Sequence, residues 1–208
     1  MDYKSYQYSR NSAWRILLDC EVKELPVDLM PICKKLGVRI SSYRKSAGFI
    51  QKQELQDMVQ KTEGLTFFVG ETPVILYDDT PLPQRIRFTI AHELGHLVLR
   101  HVRPGQVTTV NREPSSTDDP RETEANVFAA RLLAPACVLW ALELHKPEEI
   151  AELCRISLQS AKFRAERMEE LYKRNKFLSS PLERQLFEQL QPFIKQHKKK
   201  HWYDMFRK

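Results

Sequence analysis

The chain has 208 residues, of which 42% are hydrophobic and 29% charged, and its formal net charge is +6. That composition suits a globular protein with one good-sized core or two small ones, and excludes collagen-like and low-complexity classes. No internal repeat is evident, and no apolar stretch approaches the ~20 residues needed to span a bilayer, so no membrane association is expected.

The N-terminal stretch MDYKSYQYSRNSAW is polar and aromatic, without the apolar centre of a secretory signal. AWRILLDCEV has helical apolar spacing, Leu25-Pro26 is a turn, and VDLMPICKKLG is a second helix closed by Gly37. VRISSYR is β-branched and alternating, which predicts a strand from Val38 to Arg44. Helix-compatible polar sequence continues to Glu63. GLTFFVG and TPVILYDD then read as two short strands joined by a turn at Gly70-Glu71-Thr72-Pro73.

After Pro81 and Pro83 a long helix is predicted, capped by Asp79 or Thr80, with proline tolerated in its first turn. Residues 102–120 have a loop-like composition. A helical pattern returns at Arg121 and ends before Pro135. After Pro147 the chain is helical, with breaks near Arg155–Ser157 and at Ser179-Ser180-Pro181. Strands in the first half and helices elsewhere predict an α+β fold, with a small sheet packed against helices and a helical C-terminal region. The four cysteines, Cys20, Cys33, Cys137 and Cys154, are widely spaced and form no CxxC pair. Reduced, partly buried thiols are the expectation, and with them a cytoplasmic location.

The long helix contains RFTIAHELGHLVLRH, from Arg87 to His101. His92 and His96 are four apart, so on a helix their imidazoles project from one face about one turn apart. That separation lets two ring nitrogens reach one ion at ~2.0–2.1 Å. Glu93 then sits beside the ion, where it can take a proton from bound water as a general base. Gly95 costs roughly 1 kcal/mol in a helix interior relative to alanine, which makes sense if another element approaches closely. The competing reading is an amphipathic helix with surface histidines. Ile90, Leu94, Leu97, Val98 and Leu99 surround this helix with apolar residues, however, and ionisable groups in a buried helix need a partner.

A catalytic zinc needs a third protein ligand and an open position. In RETEANVFAARLLAP, Ala125, Phe128, Ala129 and Leu132 define a face that can press against another helix. Glu122 falls on that stripe and is the preferred ligand. Glu124, which shares a stripe with Phe128 and Arg131, is the alternative. Either glutamate could instead be a solvated first-turn carboxylate favoured by the helix dipole. His101 is off the ligand face and is expected outside the ligand set.

RFTIAHELGH followed by ETEANVFAARLLAP resembles the ImmA/IrrE family of zinc metallopeptidases, over about Leu25 to Pro135. The resemblance implies a zincin-like fold, zinc held by His92, His96 and Glu122, and Glu93 as catalytic base. It implies a protein substrate, a helix-turn-helix repressor whose cleavage derepresses stress, phage or mobile-element genes. Arg87 and Asn126 also match pattern positions and are read as packing or ligand-orienting residues. Manganese or iron could occupy the same ligands. The expected organisation is a helical segment at 1–24, a metallopeptidase domain at 25–140, a helical region at 141–195 and a basic tail at 196–208.

Two other classes compete with a hydrolase. PEEIAELCRISLQSAKFRAERME has the spacing of a helix-turn-helix, with Lys162, Arg164 and Arg167 on its second helix. Direct nucleic-acid binding is therefore a reading, although a plain helical hairpin is favoured over it. A metal-bound sensor without proteolytic activity is the other alternative, against which the intact Glu93 argues. KQHKKKHWYDMFRK, with Trp202, Tyr203 and Phe206, could contact nucleic acid or an acidic partner, but is more simply a solvated or frayed tail. Neither a G-x-S-x-G motif nor a catalytic cysteine signature is present.

Overall fold

A computed structural model describes residues 2–103, 107–111 and 119–205. The chain divides into two compact units, one of Met1–Ser12 and Leu29–Ala129, the other of Ala13–Asp28 and Ala130–Lys208.

The first unit is built on a four-stranded sheet. Its strands are β1 (Arg39–Ser42), β2 (Thr62–Val69), β3 (Thr72–Tyr77) and β4 (Val107–Asn111), in the order β1-β3-β2-β4. β1 runs parallel to β3, and β2 pairs antiparallel with both β3 and β4. The turn between β2 and β3 is tight, with Val69 paired to Thr72 and Gly70 at φ +58°. A positive φ there is the reason for glycine.

β2 and β3 alternate between two faces, as the strand period requires. Leu65, Phe67, Val74 and Leu76 form one buried cluster with Ile50, and Phe49 and Met58 pack against it. Ile50 and Phe49 belong to α3 (Ala47–Lys52), and Met58 to α4 (Gln56–Lys61). Phe49 stacks on Phe67 with ring centroids 5.8 Å apart. Gly64 and Thr66 point to the opposite face, towards Glu93 of α5 (Pro83–Val98). The sheet thus separates an apolar layer from the helix carrying the histidines. The expected α+β arrangement with a small sheet against that helix is present.

Several local expectations change. The first helix, α1, runs Tyr3–Asp19 rather than beginning at Ala13, and α2 covers Leu29–Lys35. α5 is not capped by Asp79 or Thr80: Leu82 is its N-cap, without a side-chain bond, and Pro83 opens the helix. Asp78 instead stabilises the preceding turn, its Oδ1 accepting from Thr80 N and Oγ1 at 2.9 and 2.7 Å. Within the expected 102–120 loop, VTTVN forms β4; its Val and Thr residues are good strand formers once β2 offers a partner edge. The remainder of that loop at 104–106 and 112–118 lies outside the described residues.

Helix α6 spans Pro120–Leu133, and the unit division falls inside it, after Ala129. The second unit continues with α7 (Ala136–Ala141), α8 (Pro147–Cys154), α9 (Leu158–Lys173) and α10 (Pro181–Met205). Trp140 stacks on Phe177 at 5.5 Å, and Gln189 Nε2 donates to Leu17 O and Val22 O at 2.9 and 2.8 Å. α8 ends on Arg155 at φ +49°, and Ser157 caps α9 by accepting from Ser160 N at 3.1 Å. The basic tail continues as helix to Met205, and residues 206–208 lie outside the described range.

Pro120–Ala141 is long and apolar enough by composition to cross a membrane, but 67% of its most apolar window is buried within the fold. A core helix pair reads the same way. All four cysteines are thiols; Cys33, Cys137 and Cys154 are buried, and burial pushes the Cys137 thiol up to about 12.

Candidate metal centre

Two helices supply the centre. α5 buries its whole middle stretch from Thr89 to His96, with Ala91, Glu93 and Leu94 fully enclosed. α6 meets it at Gly95. A Cβ there would lie 3.0 Å from Phe128 Cδ1 and 3.3 Å from Ala125 Cα and O, so the glycine admits the backbone of α6. The close approach expected from the sequence is therefore real, and Ala125 and Phe128 are the residues that make it.

The first turn of α6 is fixed by Asp119, whose Oδ1 accepts from Arg121 N at 2.9 Å. Arg121 returns a guanidinium contact at 2.7 Å, and this bonding holds the Asp119 carboxyl below its ordinary range. Glu122, next along, projects towards the histidines. Its Oε2 is 3.1 Å from His92 Nε2 and its Oε1 is 3.3 Å from His96 Nε2. The two Nε2 atoms are themselves 2.9 Å apart. One donor atom from each of His92, His96 and Glu122 lies within 4.8 Å of the others.

These distances test whether a metal fits. Ligands held ~2.0–2.1 Å from one ion at tetrahedral angles sit roughly 3.3 Å from each other, close to the spacing seen. The protonation states agree. Burial is the largest influence on His96 and lowers its pKa, keeping the imidazole neutral with a lone pair to offer. Burial alone would raise Glu122, but its bonds to His92 and His96 outweigh that and hold the carboxyl far below the usual range. Two imidazole lone pairs and a carboxylate facing one point repel one another unless a cation or a shared proton lies between them. The donor set suits a divalent ion.

Ring orientation comes from the far side of each imidazole. Asn126 Oδ1 lies 2.9 Å from His92 Nδ1, so this nitrogen carries the proton and Nε2 is left to face Glu122. Asn126, expected from the sequence to be a packing or ligand-orienting residue, thus holds the His92 ring, and Arg87 sits partly buried on α5, five residues before His92. Glu124, the alternative ligand, points elsewhere: its Oε2 is 3.0 Å from His101 Nε2.

Glu93 is fully buried on the sheet side of α5 and accepts a hydrogen bond at Oε2 from the Thr66 hydroxyl. A Cβ on Gly64 would come within 2.8 Å of Glu93 Oε1 and of Thr89 Cγ2. Gly64 and Thr66 are two residues that sequence reasoning passed over. Their i, i+2 spacing on a strand was the available signal, needing only the knowledge that β2 lies against α5.

A family model described as the IrrE N-terminal-like domain, of peptidase family M78, matches residues 33–166. A search of curated proteins finds no match to the chain. The matched span contains α5, α6 and every residue of the centre, and covers well over half of the sequence. The chain belongs to the ImmA/IrrE peptidase family.

Proposed function

We propose that the protein is a zinc-dependent endopeptidase in which His92, His96 and Glu122 hold the metal and Glu93 is the general base. The observation that carries this reading is the convergence of the three donor atoms within 4.8 Å, beside a fully buried carboxylate. A divalent ion bound there supplies Lewis acidity, acidifying water and polarising the scissile carbonyl. The chain's own groups do the rest. Asn126 orients His92, and Thr66 fixes the carboxylate plane of Glu93. Glu93 accepts the proton as the peptide bond is attacked, and its enclosure keeps bulk water from competing for that role. Manganese or iron could serve the same ligands in the cell.

The substrate is proposed to be a cytoplasmic helix-turn-helix repressor, whose cleavage derepresses stress, phage or mobile-element genes. Direct DNA binding by α8 and α9 is the weaker reading. Arg164 is turned inward, its Nε donating to Ala134 O at 2.8 Å, and the exposed face of α9 sets Glu166, Glu169 and Glu170 beside Lys162. Acidic groups on a recognition face oppose phosphate contact. Incubating the zinc-loaded protein with repressors encoded beside its gene tests the proposal. One discrete cut supports it. Stable binding without cleavage would favour a metal-bound sensor.

A further inference from the structure

His101 and Glu124 are left over once the three donor atoms are assigned. α5 ends at Val98 with Leu99 as its C-cap, and Arg100 follows at φ +61°. His101 N then bonds His96 O at 2.8 Å, and Arg100 N bonds Leu97 O at 3.1 Å. That is the Schellman pattern of a helix C-terminus, which brings the side chains at its two ends together. An apolar pair usually occupies those places. Here they hold two imidazoles, 5.1 Å between centroids and nearly perpendicular. Arg100 accepts a left-handed backbone that non-glycine residues rarely adopt.

The contacts form a directed chain. Glu124 Oε2 lies 3.0 Å from His101 Nε2, and His101 Nδ1 lies 3.1 Å from His96 Nδ1. An ionised carboxylate can only accept, so His101 Nε2 carries a proton. A neutral imidazole has one N–H, which leaves His101 Nδ1 as an acceptor. His96 Nδ1 must then be the donor, and its lone pair belongs to Nε2, the atom facing Glu122 and His92. The reverse tautomer would aim an N–H into the donor cluster.

We propose that His101 and Glu124 are positioning residues that fix His96 as the Nδ1–H tautomer, with its Nε2 lone pair directed at the metal position. The pair does for His96 what Asn126 does for His92. The inference rests on the metal reading above for its purpose, but the tautomer can be measured in metal-free protein.

The test uses the full chain stripped of metal, with long-range proton–nitrogen NMR on the imidazoles, and zinc alone as the probe in competition with a chromophoric chelator. Wild type should show His96 protonated at Nδ1. His101→Leu should give a tautomer mixture and weaken zinc binding by ~10–100-fold, the usual effect of losing a residue behind a ligand. Glu124→Ala should shift both readouts in the same direction, and Glu124→Gln should recover most of the loss because its amide oxygen still accepts. An unchanged His96 tautomer in both His101→Leu and Glu124→Ala would overturn the proposal, as would equal losses in Glu124→Ala and Glu124→Gln. The Glu124 pair keeps the test intact if His101→Leu fails to fold. Wild type that takes up no zinc while His96 is protonated at Nδ1 would support the positioning and sink the metal reading.

Discussion

The Thr66 hydroxyl donates to Glu93 Oε2 across 27 residues of sequence, from strand β2 to helix α5. Both side chains are fully buried. A carboxylate enclosed in this way needs hydrogen bonds to its charged form, and the sheet supplies one from a residue type that also favours a strand. The sheet and the Glu93 carboxylate are therefore one assembly. Thr66→Val keeps the shape and removes the donor. It should destabilise the fold by about 1.5–3 kcal/mol, as for other hydrogen bonds to charged groups, with a smaller loss in a Glu93→Gln background. Equal losses in the two backgrounds, read from urea unfolding, would show that the charge of Glu93 adds nothing to the contact.

Gly64 sets the distance between the same two elements. Because a methyl group there would sit 2.8 Å from Glu93 Oε1 and Thr89 Cγ2, Gly64→Ala must displace the carboxylate or push α5 from the sheet. Overpacking of this kind costs about 1–3 kcal/mol. Peptidase activity should fall much more than zinc affinity, since the atoms that a methyl group would meet belong to Glu93 and Thr89 and not to His92, His96 or Glu122. Full activity with an unshifted unfolding midpoint would mean that the strand yields instead.

The ligand assignment separates two glutamates. The proposed site holds about one divalent ion per chain, and His92→Ala, His96→Ala and Glu122→Gln should each weaken it sharply. Glu124→Gln should matter much less, because the carboxylate faces His101. Elemental analysis that finds full metal in Glu122→Gln and little in Glu124→Gln would reverse the assignment.

Much of this centre was legible from spacing alone. His92, Glu93 and His96 declare themselves by helical period, and Glu122 shares a stripe with the small residues that let α6 approach Gly95. The partnership of Glu124 with His101 was not legible. It depends on a left-handed turn at Arg100, where neither glycine nor asparagine announces the conformation. Gly64 and Thr66 were invisible for another reason: strand alternation tells which residues share a face, but not which helix covers it. β4 was missed because four strand-forming residues and an asparagine, flanked by turn formers, gain their structure from β2.

Acid should weaken the metal-free fold in a defined window. Burial lowers the pKa of both His96 and His101 below the ordinary value of ~6.5. As pH falls through ~6.5 the unfolded chain takes up protons that the folded chain still refuses, so stability declines, until the folded histidines titrate as well. Glu122 acts lower down, its depressed pKa contributing stability above ~4.5 that is lost as pH falls further. Urea midpoints of chelator-treated protein should drop from pH 7 to 5, more in wild type than in His101→Leu. Constant midpoints, or midpoints that rise towards acid, would contradict these shifts.

Separating catalysis from binding requires a variant that keeps the metal and loses only the base. Glu93 lies on α5 next to His92, and its carboxylate is held by Thr66 with Gly64 packed against it. Glu93→Gln preserves size and can still accept from Thr66 through its amide oxygen, so the fold and the zinc content should stay near wild type. The amide has no useful basicity. General-base contributions are typically ~10²–10⁴-fold, and cleavage of a susceptible repressor should fall by at least that order. The comparison must be made at matched metal occupancy, because a partly empty site would imitate the loss. Two results would count against the mechanism in different ways. Unchanged cleavage with full zinc would show that Glu93 accepts no proton in the reaction. Loss of zinc along with activity would show that Glu93 helps to hold the metal, and that the three-residue ligand set is incomplete.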